Sequence, residues 1–182
     1  YKTRPIPGFH DLVEGDATVE IPLSQGDLID LESVRLCALA APGHSPEQMA
    51  FRIEPCGGLI TGDAVPLPGA PPIYEDARAA VATLKLFLDS GPFEALYSSW
   101  DEPRFGQEAT AALELGLEVI SRMHHLVREA MAKKPGAKPV DIAPQVFIGM
   151  GIPPIPLAPP ITFKFSTALL TINMNAREII AR

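Results

Sequence analysis

Cysteine is nearly absent from this sequence: Cys37 and Cys56 stand alone in 182 residues. Two cysteines cannot build the disulfide framework of a small secreted domain, and free thiols fit a reducing, cytoplasmic compartment. Long apolar runs are absent too. No stretch of about 18 apolar residues occurs, so no segment reads as a membrane span, and the first residues show no signal-peptide pattern. The chain opens on Tyr1 rather than Met, as expected of a processed, trimmed or excerpted polypeptide. Basic residues are in the minority. Fifteen Lys and Arg against 22 Asp and Glu leave a formal net charge of −7, which argues against a nucleic-acid groove and for a soluble, mildly acidic surface. Histidine is scarce, at His10, His44, His124 and His125 only, and there are no internal repeats.

What is present is apolar side chain, 47% of the sequence, enough for one domain with a real core. Its most informative stretch runs from Ser33 to Val65. Val34, Leu36, Ala38 and Ala40 alternate with Arg35, Cys37 and Leu39, which predicts a strand. Pro42-Gly43 breaks the chain and presents His44. Met49, Phe51 and Ile53 alternate again, Gly57-Gly58 turns the chain, and Leu59-Ile60 forms a short buried run. Gly62 then frees the backbone just before Asp63. An imidazole and a carboxylate, both able to bind metal, thus sit at the ends of strands close in sequence.

The flanks complete an α/β protein with an antiparallel sheet and several amphipathic helices. Thr18 to Leu23 alternates as a strand, Gly26-Asp27 turns, and Leu28 to Leu31 returns as a hairpin partner. Pro66 to Pro72 is a proline-rich loop, either a pocket wall or a rigid connector. Glu75-Asp76 opens a helix striped by Ala77, Val81, Leu84 and Leu88 and stopped at Gly91-Pro92. Phe93 to Ser98 reads as a strand, and Pro103 to Lys134 as a long helix striped by Leu113, Leu117, Ile120, Val127 and Met131. His124 and His125 are adjacent on it and cannot face one another, so His124 is expected to be a satisfied, partly buried histidine. Asp141 is expected to cap a short helix through Ile148, with Pro144 in its first turn. A last helix is striped by Phe165, Leu169, Ile172, Ala176 and Ile179. His10 reads as a loop histidine or, functionally, as a pocket residue. Ile152, Ile155, Leu157, Ile161 and Phe163 form a greasy, proline-broken segment that either covers the core or makes a homodimer contact.

Pro42-Gly43-His44-Ser45 followed by Thr61-Gly62-Asp63, with strands on both sides and a helix after, resembles the metallo-β-lactamase fold superfamily from roughly Gly26 to Met131. The resemblance implies an α/β (α+β) fold: half of an αββα sandwich, an antiparallel-rich sheet with covering helices and a C-terminal helical extension. Residues 1–134 would be the C-terminal portion of that domain, and 135–182 an extension packing on it or on a partner subunit. The resemblance also implies two divalent metal ions, zinc or else iron, with His44 as a ligand and Asp63 bridging both. The superfamily's HxHxDH cluster has no counterpart in this chain and is expected upstream of Tyr1. Where its last histidine would stand, Ser98 to Pro103 reads SSWDEP. Trp100 cannot bind a metal. Asp101 beside it is a candidate substitute ligand, or with Glu102 and Pro103 the start of the long helix. Ser45 and Trp100 are the expected substrate-pocket residues.

The function implied is hydrolysis of a small ester, thioester or lactone by a metal-bound hydroxide, with no nucleic-acid or membrane partner. A non-catalytic binding or assembly module with a degenerate metal site is the alternative. An iron-containing redox relative is a third reading.

Overall fold

The computed structural model describes residues 18–153. They form one six-stranded sheet in sequence order, β1 (Leu28–Leu31), β2 (Val34–Ala40), β3 (Met49–Glu54), β4 (Gly58–Gly62), β5 (Ala95–Ser98) and β6 (Arg104–Phe105). All neighbours are antiparallel except β4 and β5, which run parallel. The parallel pair is joined through helix α1 (Ala77–Ser90), the crossover that a parallel connection requires. Helices α2 (Gln107–Lys133) and α3 (Pro139–Gly149) follow.

Register explains which side chains meet. Leu39 lies opposite Ala50, and Leu59 lies between Arg52 and Leu96. This face packs with Leu84 and Phe87 of α1 and Leu113, Ile120, Met123 and Val127 of α2 into a single core. Ile142, Ala143, Val146 and Phe147 of α3 join the same core. On the opposite face Leu36 pairs with Ile53, Phe51 with Ile60, and Ile60 in turn with Tyr97. The first four of these are half-buried and Tyr97 is exposed.

α1 begins where its sequence says it should. The Asp76 carboxylate accepts hydrogen bonds from the backbone N–H groups of Arg78 (2.8 Å) and Ala79 (3.0 Å), satisfying two of the free donors at a helix start.

Three expectations are corrected. Thr18 to Leu23 is not a strand, and Val19 and Ile21 are 74% and 75% exposed. Alternation alone holds no strand without a neighbour to pair with, and the hairpin is β1 with β2 instead. The long helix begins at Gln107, not Pro103, because Arg104 and Phe105 pair with Leu96 and Ala95 and Gly106 turns the chain at φ 53°. Asp141 sits inside the first turn of α3, where its carboxylate accepts from the Lys138 N–H (3.1 Å); Pro144 lies further inside the helix than its first turn. The proposed dimer residues from Ile155 to Phe163, the last helix stripe and His10 lie outside the described residues, whereas Ile152 is buried in the core. Cys37 and Cys56 are free thiols. Among the described residues no helix is long and apolar enough to cross a membrane.

His124 also differs from expectation. It is buried, and its Nε2 has no hydrogen-bond partner among the described residues. Burial pushes the imidazole down from 6.5 to about 4, because the apolar core disfavours the charged ring. The unfolded chain therefore takes up the proton first as pH falls. Stability from this group is intact above about pH 6.5 and is lost as pH drops from there towards 4. Urea unfolding should show a loss of about 2 kcal/mol between pH 7 and pH 5 that is missing in His124→Leu. An unchanged pH profile in that variant would assign the loss to other groups.

Candidate functional site

Topology gathers the candidate residues at one end of the sheet. Strands β4 and β5 are parallel, so their carboxyl ends are neighbours, and β3 is antiparallel to β4, so the β2–β3 loop lies at the same end. That end presents His44 from the β2–β3 loop, Asp63 after β4 and Trp100 after β5. The Ser99 N–H donates to the Gly62 carbonyl (3.0 Å) and ties the last two together. A register shift between Ile60 and Gly62, with Gly62 at φ 55°, re-aims the chain as it leaves β4 towards Asp63.

The loop carrying His44 is clamped to α1. The Gly43 carbonyl accepts from the N–H groups of Glu75 (2.7 Å) and Asp76 (3.1 Å), and the Thr83 hydroxyl donates to the Pro42 carbonyl (2.7 Å). The imidazole is then oriented. Nδ1 lies 2.9 Å from the Ile73 carbonyl; a carbonyl only accepts, so Nδ1 carries the proton and Nε2 offers its lone pair. That Nε2 faces Asp63 Oδ2 at 3.7 Å, too far for a direct hydrogen bond. The other oxygen, Oδ1, accepts from the Trp100 indole N–H at 2.9 Å. Each of the two side chains is thus pinned on one side and open on the other, and the open sides converge.

Beside them opens a cavity of about 360 Å³, lined by His44, Asp63 and Trp100 at its polar edge and by Val65, Leu67, Pro71 and Tyr74 among its apolar walls. The proline-rich loop therefore lines a cavity. The Tyr74 hydroxyl is buried without a partner among the described residues, and burial pushes its phenol up.

The remaining candidates are placed as follows. Ser45 does not line the cavity; its carbonyl accepts from the N–H groups of Gly43 and Gln48 in the loop. Asp101 is held by Arg104 through two hydrogen bonds of 3.0 and 2.7 Å, which keep its carboxyl below its ordinary value. It lines a neighbouring depression with Arg104 and Glu108 instead, and it does not start α2. The backbone carbonyl of Ile73 was invisible to sequence reasoning, since any residue supplies a carbonyl.

His44 and Asp63 suit a divalent ion as two of its ligands. Their 3.7 Å separation is one that a single ion at about 2.1 Å from each can span. Among the described residues no group of three or more His, Cys, Asp or Glu is placed to hold a metal, so the pair is short of the three protein ligands of a catalytic zinc site.

No protein-family model matches the sequence, and no curated protein matches it. Solved structures do. A metallo-β-lactamase family protein from Thermus thermophilus superposes with a TM-score of 0.64 at 21% identity, over 88% of this chain and 50% of that one. A β-lactamase domain protein from Burkholderia ambifaria gives 0.68 at 23% identity, over 91% and 48%. A sec-alkylsulfatase from Pseudomonas sp. gives 0.55 at 16%, over 88% and 26%. The chain spans about half the length of the first two. With its six-stranded sheet, its helices and these likenesses, the chain has the metallo-β-lactamase fold.

Proposed function

We propose that this chain carries part of the active centre of a metal-dependent hydrolase for a small ester, thioester or lactone. One observation supports it above the others: the open Nε2 of His44 and Oδ2 of Asp63 converge at the mouth of a largely apolar cavity, each with its other side pinned. Both side chains would hold a divalent ion, with zinc as the first candidate and iron as the second. Such an ion supplies Lewis acidity and a reactive water at neutral pH.

The chain's own residues would do the rest. The Ile73 carbonyl fixes the tautomer of His44 and so keeps Nε2 available. The walls of Val65, Leu67 and Pro71 would take an apolar acyl group and exclude bulk water from it. The further ligands of a catalytic ion would come from outside the described residues. A non-catalytic binding module is the second reading, favoured by the same shortage of donors.

The two are separated by a chelator. We expect the purified chain to retain zinc, and EDTA to lower its melting temperature and stop hydrolysis of p-nitrophenyl acetate and of a short acyl thioester, with zinc restoring both. A melting temperature and a hydrolysis rate indifferent to EDTA, with no retained ion, would favour the binding module.

A further inference from the structure

We infer that Trp100 is a positioning residue that turns the Asp63 carboxylate so that its Oδ2 faces His44 Nε2 for a divalent cation. The inference rests on the reading of that pair as a cation site and concerns how the pair is set. Three observations carry it. First, the indole N–H donates to Asp63 Oδ1 at 2.9 Å. An indole offers a donor and no lone pair, so it takes one of the two lone-pair directions of that oxygen and fixes the rotation of the carboxylate. Held this way, the carboxylate turns its other oxygen, Oδ2, towards His44 Nε2. Second, Trp100 is held in an unusual state. Its backbone is left-handed at φ 67°, rare for a bulky residue, and the residue is 90% exposed. Burial of the ring therefore does not explain its position. The bond to Asp63 and the tie of Ser99 to Gly62 do, and conformations of this kind concentrate at functional sites. Third, the carboxylate next in sequence is committed elsewhere: Asp101 is taken by Arg104 on both oxygens. It is therefore not free to take over the part of Asp63.

Trp100 thus acts on the cation through Asp63, as an outer partner that orients a ligand. Because it is the chain's one tryptophan, its emission reports on the contact directly. The test is a titration of the metal-free full chain with Zn²⁺, following bound metal by mass spectrometry and indole emission together. The wild type should take up one ion per chain, and emission should change with the same midpoint. In Trp100→Phe the stoichiometry should remain one while affinity falls about tenfold, the range for loss of an outer-shell partner. Its melting temperature should not change, since the exposed ring buries little, so unfolding would not account for the loss. A Trp100→Phe chain that binds Zn²⁺ as tightly as the wild type would overturn the inference while leaving the cation site standing. No uptake by the wild type would overturn the cation site and this inference with it.

Discussion

Gly43→Ala is expected to destabilise the protein by about 3 kcal/mol or more, the largest single effect of any small substitution near the site. A Cβ at Gly43 would lie 2.6 Å from the Ala80 Cα, 2.7 Å from its N and 2.8 Å from its Cβ. Those are atoms of α1, two of them backbone, so no side chain can swing aside to make room. The φ of 144° adds strain for any residue with a Cβ. The Gly43 carbonyl also receives the Glu75 and Asp76 N–H groups, so moving the loop away from the helix breaks those bonds as well. Chemical denaturation measures the loss. Gly136→Ala is the control: its φ is 81°, but nothing lies within 4 Å of the added carbon, and the cost there should be about 1 kcal/mol. Equal costs at the two positions would mean that the contact with α1 is looser than described.

His44→Ala should reduce divalent-ion affinity and metal-dependent hydrolysis by on the order of 100-fold or more, since loss of a ligand exceeds the 10–100-fold typical of an outer-shell partner. The fold should survive, because the hydrogen bond that the side chain makes among the described residues is a single one, to the Ile73 carbonyl. His44→Asn sharpens the test. It keeps an amide N–H close to where Nδ1 donates, yet has nothing at the position of Nε2. The same loss in both variants would assign the effect to Nε2. An Asn variant with wild-type affinity would show that the ring's only role is to hold the loop to Ile73.

Much of this architecture was legible because it is local. Alternation from Val34 to Ala40 and from Met49 to Ile53, broken by Pro42-Gly43 and Gly57-Gly58, produced β2, β3 and the loop bearing His44. Gly62 before Asp63 marked the end of β4, and Asp76 marked the start of α1. The failures in the sheet and at Trp100 share a physical cause, since each depended on strand pairing that local alternation does not encode. Val19 and Ile21 alternate as well as any strand residues, but nothing among the described residues pairs with them. Arg104 and Phe105 look like a helix start until β5 is there to bind them. Trp100 could be suspected from its place after β5, but its bond to Asp63 could not. That bond needs the parallel pairing of β4 with β5 and a left-handed backbone that no residue type at position 100 announces. His124 was expected to be a satisfied, partly buried histidine, as buried polar groups generally are, and its Nε2 has no partner among the described residues.

The parallel pairing also divides the site into an early part and a late part. His44 and Asp63 belong to a meander in which each strand pairs with the next along the chain, so their meeting closes only short loops. Trp100 reaches Asp63 across 37 residues, after the proline-rich loop and all of α1 have been laid down. Closing that loop costs more chain entropy, and contacts between residues distant in sequence form slowly. The open edges of His44 and Asp63 are therefore expected to face one another before the indole arrives to fix the carboxylate.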